Sequence, residues 1–223
     1  SNNRADAGAG LTMLLGLEQP LALWRVVTPL GSSSLMLPLL VVVLAGIWRA
    51  GHTVAARTWL GGVLVAAGLT LVSKILFMGW GIGSATLNFT GVSGHAVLAA
   101  SVFPVLLHWL LAPQPAPQRY LGLVLGLLLA GVVAASRVVL GAHSASEVII
   151  AWAMGLLVSL LAVRAMPAPG SPPRWVRLAP LLLLFSFHTG AATYLPSHAW
   201  EVRLSLALSG HAQPFTRQHL LLR

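Results

Sequence analysis

A chain of 223 residues with 57% hydrophobic and 8% charged residues and a mean hydropathy of +0.86 is too apolar and too poor in charge to be a single water-soluble domain. Its formal charge of +9 sets 13 Lys and Arg against Asp6, Glu18, Glu147 and Glu201. The arginines fall in breaks between apolar runs rather than on one face, which excludes a nucleic-acid partner and favours a bilayer. The absence of Cys excludes disulfides and thiolate chemistry.

The first apolar stretch, residues 11–30, is interrupted by Glu18, Gln19, Pro20 and Arg25 and has no charged leader of the signal-peptide kind. It predicts an interfacial or re-entrant helix within an N-terminal segment 1–33, a crossing being the alternative. Runs near the roughly 20 residues that a span needs follow at Ser33–Trp48, Thr58–Met78, His95–Leu111, Tyr120–Ser136, Ala145–Val163 and Leu178–Leu195. Together they predict an all-α, polytopic membrane bundle of about six transmembrane helices over residues 34–195. Trp48, Trp59, Trp80, Trp109 and Trp175 fall near the ends of these runs, where an amphipathic ring favours the headgroup zone.

Breaks at 49–57, 112–119 and 164–177 carry Arg49, Arg57, Arg119, Arg164, Arg174 and Arg177, whereas those at 79–94 and 137–144 carry only Arg137. The positive-inside rule then makes the arginine-rich side cytoplasmic, and the Pro-rich breaks on it simple linkers. The other polar cluster faces outward, as in a bacterial inner-membrane protein whose site opens to the periplasm. Residues 196–223 form an extracytoplasmic tail.

Chemistry concentrates on that outer face. His143 and Glu147 are four apart, so on a helix starting near Ala142 the carboxylate holds the imidazole in one tautomer and leaves it a usable nucleophile. Ser144 and Ser146 are candidate caps of a helix whose positive end suits an anion. Arg137 offers a planar fork for phosphate oxygens, and Lys74 is the chain's only lysine. Ser93 and Gly94 offer a hydroxyl and an approachable amide, and His95 a proton for a leaving oxygen. His52, His108, His188 and His198 read as wetted interface residues, and the second Ser-Gly-His, at Ser209-Gly210-His211, as chance.

Ser136-Arg137, then His143 and Glu147, together with Val92-Ser93-Gly94-His95 and the earlier Lys74, resemble the three-part signature of the type 2 phosphatidic acid phosphatase family, whose site is shared with vanadium haloperoxidases. The resemblance covers roughly residues 34–164. Val92 stands where the family has proline, Glu147 where it usually has Asp, and Gly81-Ile82 where it has Arg-Pro. The resemblance implies His143 as nucleophile forming a phosphohistidine, Glu147 as its orienter and His95 as general acid. It implies Lys74, Ser93, Gly94 and Arg137 as the phosphate cradle, with no metal and no cofactor.

The substrate implied is a membrane lipid carrying a phosphomonoester or pyrophosphate: polyprenyl pyrophosphate, phosphatidylglycerophosphate, phosphatidate or a lipid A phosphate. Two alternatives compete, a His-His-Glu metallohydrolase built on His95, His143 and Glu147, and a non-catalytic lipid-phosphate binder or transporter. Backbone amides of the run Trp80-Gly81-Ile82-Gly83-Ser84 offer one replacement for the missing arginine. A tail folded back over the outer mouth offers another, through Arg217 or Arg203.

Overall fold

The computed structural model describes residues 18–166, 170–188 and 195–222. Among them the chain is helical, with no strand beyond an isolated Ser84–Phe89 bridge: α1 Glu18–Val27, a 3-10 turn Thr28–Gly31, α2 Ser33–Arg49, α3 Thr53–Trp80, α4 Gly94–Leu110, α5 Ala116–Val139, α6 Ala145–Arg164, α7 Arg174–His188, α8 Ser197–Ser209 and α9 Arg217–Leu221. By length and apolarity α3, α5 and α6 are each able to cross a bilayer. The 3-10 turn joins α1 to α2 with a 41° bend, so residues 21–49 form a broken span or a re-entrant loop. Residues 11–17 of the first apolar stretch and 189–194 of the last lie outside the described residues. The final run is helical from Arg174, four residues before the expected start.

The bundle is organised around α4, whose apolar face extends all round. Ala96, Val97, Ala99, Ala100, Val102 and Val105 are buried, and α2, α3, α5 and α6 all pack against it. Small residues let these backbones approach. A Cβ at Gly126 of α5 would meet the backbone of Pro104, and one at Gly155 of α6 would meet Ala100. Close contact through glycine is how helices gain packing where lipid supplies no hydrophobic drive.

Two readings of residues near helix ends are corrected by this packing. Trp59 and Trp109 are core residues rather than headgroup anchors: both are fully buried, and their indole N–H groups donate to the Ser101 and Gly170 carbonyls. Gly46 leaves the space that the Trp109 ring fills. Trp48, Trp80 and Trp175 stay exposed as expected. His108 is buried, not wetted, with Nδ1 3.0 Å from the Arg119 carbonyl.

Helix α3 stops at Gly81, which takes the left-handed conformation at φ 69°. The loop that follows turns back through the Ser84–Phe89 bridge and lays Gly91 against Lys74, where a Cβ would come within 2.9 Å of Lys74 Cγ. The tail closes on the same end of α3. Helix α8 approaches Gly79 through the Ser205 carbonyl, the Phe215 N–H donates to the Met78 carbonyl at 2.9 Å, and Leu220 packs with Phe77 and Met78.

Candidate active site

Gly141 adopts φ 68°, and the amides of Ala142 and His143 return to the Arg137 carbonyl at 3.0 and 3.1 Å. That turn delays α6, which starts at Ala145 with Ser144 as N-cap rather than near Ala142. His143 therefore lies outside the helix, just before the cap. A capping box closes the first turn: the Ser144 hydroxyl accepts from the Glu147 amide, and the Glu147 carboxylate accepts from the Ser144 amide at 3.0 Å. The same carboxylate oxygen lies 2.8 Å from His143 Nδ1. A carboxylate only accepts, so Nδ1 carries the proton and Nε2 presents its lone pair.

Glu147 is fully buried, and donors from three elements saturate it. Oε1 accepts from the Thr90 amide and from the Thr90 hydroxyl at 2.6 Å. Arg217 Nη2 donates to Oε1 and Oε2 at 3.0 and 2.9 Å and to Thr90 Oγ1 at 3.1 Å, while its Nη1 donates to the carbonyl and side-chain oxygens of Asn88. A buried carboxylate is tolerable only when paired in this way.

Lys74, His95, Arg137, His143 and Arg217 line one cavity of about 670 Å³. Lys74 Nζ donates to both oxygens of Glu201, from α8, at 2.8 and 3.0 Å. Arg137 Nη1 donates to Thr28 Oγ1 in the 3-10 turn at 2.8 Å, and its Nε is buried with no hydrogen-bond partner among the described residues. Gly94 opens onto the cavity. Ser93, expected in the phosphate cradle, is instead fully buried and does not line the cavity: its hydroxyl has no partner among the described residues, and its amide lies 3.5 Å from the Glu147 carbonyl, bracing the start of α4 against the first turn of α6.

Apart from Ser93, the residues picked out in the sequence thus converge, with three further changes. The run after Trp80 offers few free amides: those of Gly81, Ile82 and Ser84 donate to the Phe77, Leu76 and Phe89 carbonyls. Arg217 reaches the site, whereas Arg203 is exposed on α8. His95, His143 and Glu147 do not gather into a three-ligand metal cluster among the described residues. Sequence reasoning missed Thr28, Asn88 and Thr90, which no spacing marks. It also missed the Lys74–Glu201 pair, for which the signal was present: one lysine and four acids in an apolar chain leave few possible partners.

The family model described as the PAP2 superfamily matches residues 82–170, which hold every polar residue of the two central motifs. The chain is 32% identical over 207 residues to an uncharacterised 22.5 kDa protein in the cps region of Klebsiella pneumoniae, a match covering 88% of this chain and 97% of that one. It is also 32% identical over 150 residues to phosphatidylglycerophosphatase B of Bacillus subtilis, covering 60% of this chain and 70% of the relative. Among solved structures it is similar to the transmembrane PAP2-type phosphatidylglycerolphosphate phosphatase of Bacillus subtilis, with a TM-score of 0.53 and 25% identity over 74% of this chain and 86% of that one. Motif order, helical membrane architecture and these similarities agree: the chain belongs to the PAP2 superfamily and is an integral membrane phosphatase.

Proposed function

We propose that the protein hydrolyses the terminal phosphate of a membrane lipid at the outer face of a bacterial inner membrane, through a phosphohistidine on His143. The observation that carries this reading is the His143–Glu147 pair, with Nδ1 tied to a buried carboxylate and the ring lining a cavity that also holds Lys74 and Arg137. His143 Nε2 attacks phosphorus, the phosphorus–oxygen bond to the lipid breaks, and the departing oxygen takes a proton from His95. Water then attacks the phosphohistidine, passing a proton to His95, which releases phosphate and restores both imidazoles. Lys74 and Arg137 oppose the charge on the equatorial oxygens, so catalysis rests on positioning and electrostatics. The substrate's own negative charge favours a protonated His95 beside Lys74 and Arg137.

Every step runs through this chain's side chains, so turnover is expected to persist in chelator and to fall with vanadate, a mimic of the five-coordinate phosphorus. The test is phosphate release from a panel of lipid phosphates by detergent-purified protein, with and without chelator, alongside His143→Ala. Full activity in His143→Ala sinks the phosphohistidine, and loss of turnover in chelator restores a metal-dependent reading.

A further inference from the structure

Arg217 enters the site from the C-terminal tail, beyond residues 82–170 that the family model matches. Its place is fixed on both sides: the Phe215 N–H donates to the Met78 carbonyl at 2.9 Å, and Leu220 packs against Phe77 and Met78. The loop after α3 is shaped to receive it. Asn88 takes the left-handed conformation at φ 49°, which asparagine tolerates better than most residues. Both its carbonyl and its side-chain oxygen then accept from Arg217 Nη1, at 2.8 and 2.6 Å.

A guanidinium has five N–H donors, two on each Nη and one on Nε. The Nη1 pair goes to Asn88. The Nη2 pair goes to Thr90 Oγ1 at 3.1 Å and to the Glu147 carboxylate, 3.0 and 2.9 Å from its two oxygens. At most the Nε–H is left for a substrate oxygen, so Arg217 lines the cavity without being placed as a bidentate phosphate ligand. Its donors instead fix the plane of the carboxylate that holds His143 Nδ1. Glu147 stands where the family usually has Asp, and the added methylene gives its carboxylate one more torsion about which to swing. Arg217 also brings a formal counter-charge to this fully buried carboxylate. Lys74 and Arg137, the other Lys and Arg of the cavity lining, contact Glu201 and Thr28 instead.

We infer that Arg217 is a positioning residue for the nucleophile, acting through Glu147, and that the tail thereby completes the active site; this rests on the reading of His143 as nucleophile. Without Arg217 the carboxylate turns about its side-chain torsions, Nδ1 loses a fixed acceptor, and the Nε2 lone pair is no longer held toward phosphorus. Substrate still binds through Lys74 and Arg137, so the loss falls on kcat and not on KM.

The test uses the full-length protein in detergent and the lipid phosphate it turns over fastest. Arg217→Ala should lower kcat about 10- to 100-fold with KM within about twofold of the wild type. Guanidinium ion, added below unfolding concentrations, should restore kcat about fivefold or more in this variant and leave the wild type unchanged. Acylation of His143 by diethylpyrocarbonate, followed by mass spectrometry, needs no turnover: its rate should fall about fivefold or more in Arg217→Ala and recover with guanidinium. Arg217→Lys keeps the charge without the planar fork, so it should show the same split with a smaller loss of kcat, and it decides the matter if Arg217→Ala does not fold. A raised KM at unchanged kcat would make Arg217 a phosphate contact and overturn the inference. So would a loss of kcat that guanidinium does not restore and that leaves acylation of His143 unchanged, since Arg217 would then only pin the tail. If His143→Ala keeps full turnover while acylation of His143 still depends on Arg217, the catalytic reading fails and the positioning of the ring stands.

Discussion

Glu147 accepts from the helix cap, the preceding loop and the tail at once, and its state governs His143. Glu147→Gln keeps the shape but removes the charge opposite His143 and Arg217. The rate is expected to fall by about 10⁴, as when the carboxylate of a Ser-His-Asp triad becomes an amide. Leaving Arg217 without its counter-charge should also lower stability by roughly 3 kcal/mol, the low end for a broken buried pair, which thermal unfolding of the variant measures. Glu147→Asp shortens an arm whose oxygens meet donors from three directions, so a loss of activity is expected; a gain would show geometry drifted from its optimum. Arg217 spends its donors on Glu147, Thr90 and Asn88, so Arg217→Gln should lower kcat about 10- to 100-fold, the usual effect of removing a group that orients a ligand or base. A KM effect alone would instead make Arg217 a phosphate contact. Glu201 is paired with Lys74, so a phosphate held by Lys74, as proposed, has to share or displace it. Glu201→Gln should therefore lower KM by up to about fivefold, the worth of an ion pair of this exposure, and an unchanged KM would show that Lys74 does not meet substrate.

At the scale of elements, the start of α6 and the end of α3 place the chemistry. Ser144→Ala removes one half of the capping box and should cost about 1 kcal/mol, with a larger relative loss of kcat because His143 hangs from that cap. Equal kcat in the variant would show that Glu147 alone aims the ring. Gly81→Arg, which would restore the family's side chain at that position, forces a residue with a Cβ into a left-handed cap and should destabilise by about 1 kcal/mol. Partial rescue of phosphate affinity by this variant would show that the strain is tolerated. The tail helices bring Glu201 to Lys74 and Arg217 to Glu147 in the lining of one cavity, so their separate effects on KM and kcat distinguish them.

At the scale of the whole molecule, the site lies at the end of α3 that holds Lys74, whereas Arg49 ends α2 and Arg57 lies in the first turns of α3, at its opposite end. The absence of Cys makes orientation directly measurable. In intact cells a membrane-impermeant maleimide should label His198→Cys, which is 82% exposed beside Glu201, and should label Ala50→Cys only after lysis. The reverse pattern would place the site in the cytoplasm and remove lipids of the outer leaflet from the substrate class.

Composition and spacing alone established the helical membrane architecture, because runs of apolar residues long enough to span hydrocarbon have few other stable fates. They also brought out His95, Arg137, His143 and Glu147, since ionisable groups at the ends of such runs are costly unless used. Tertiary structure decided what periodicity cannot encode. Which tryptophans are core depended on the glycine opposite, as Gly46 is for Trp109. Whether His143 lies on a helix or before it depended on the left-handed Gly141. The partners of Glu147 and Lys74 come from residues 70 and 127 positions away, Arg217 and Glu201. Hydrophobic pattern is a local property that each segment carries by itself, whereas saturating a buried carboxylate needs donors from several segments at once, and only the folded chain brings them together.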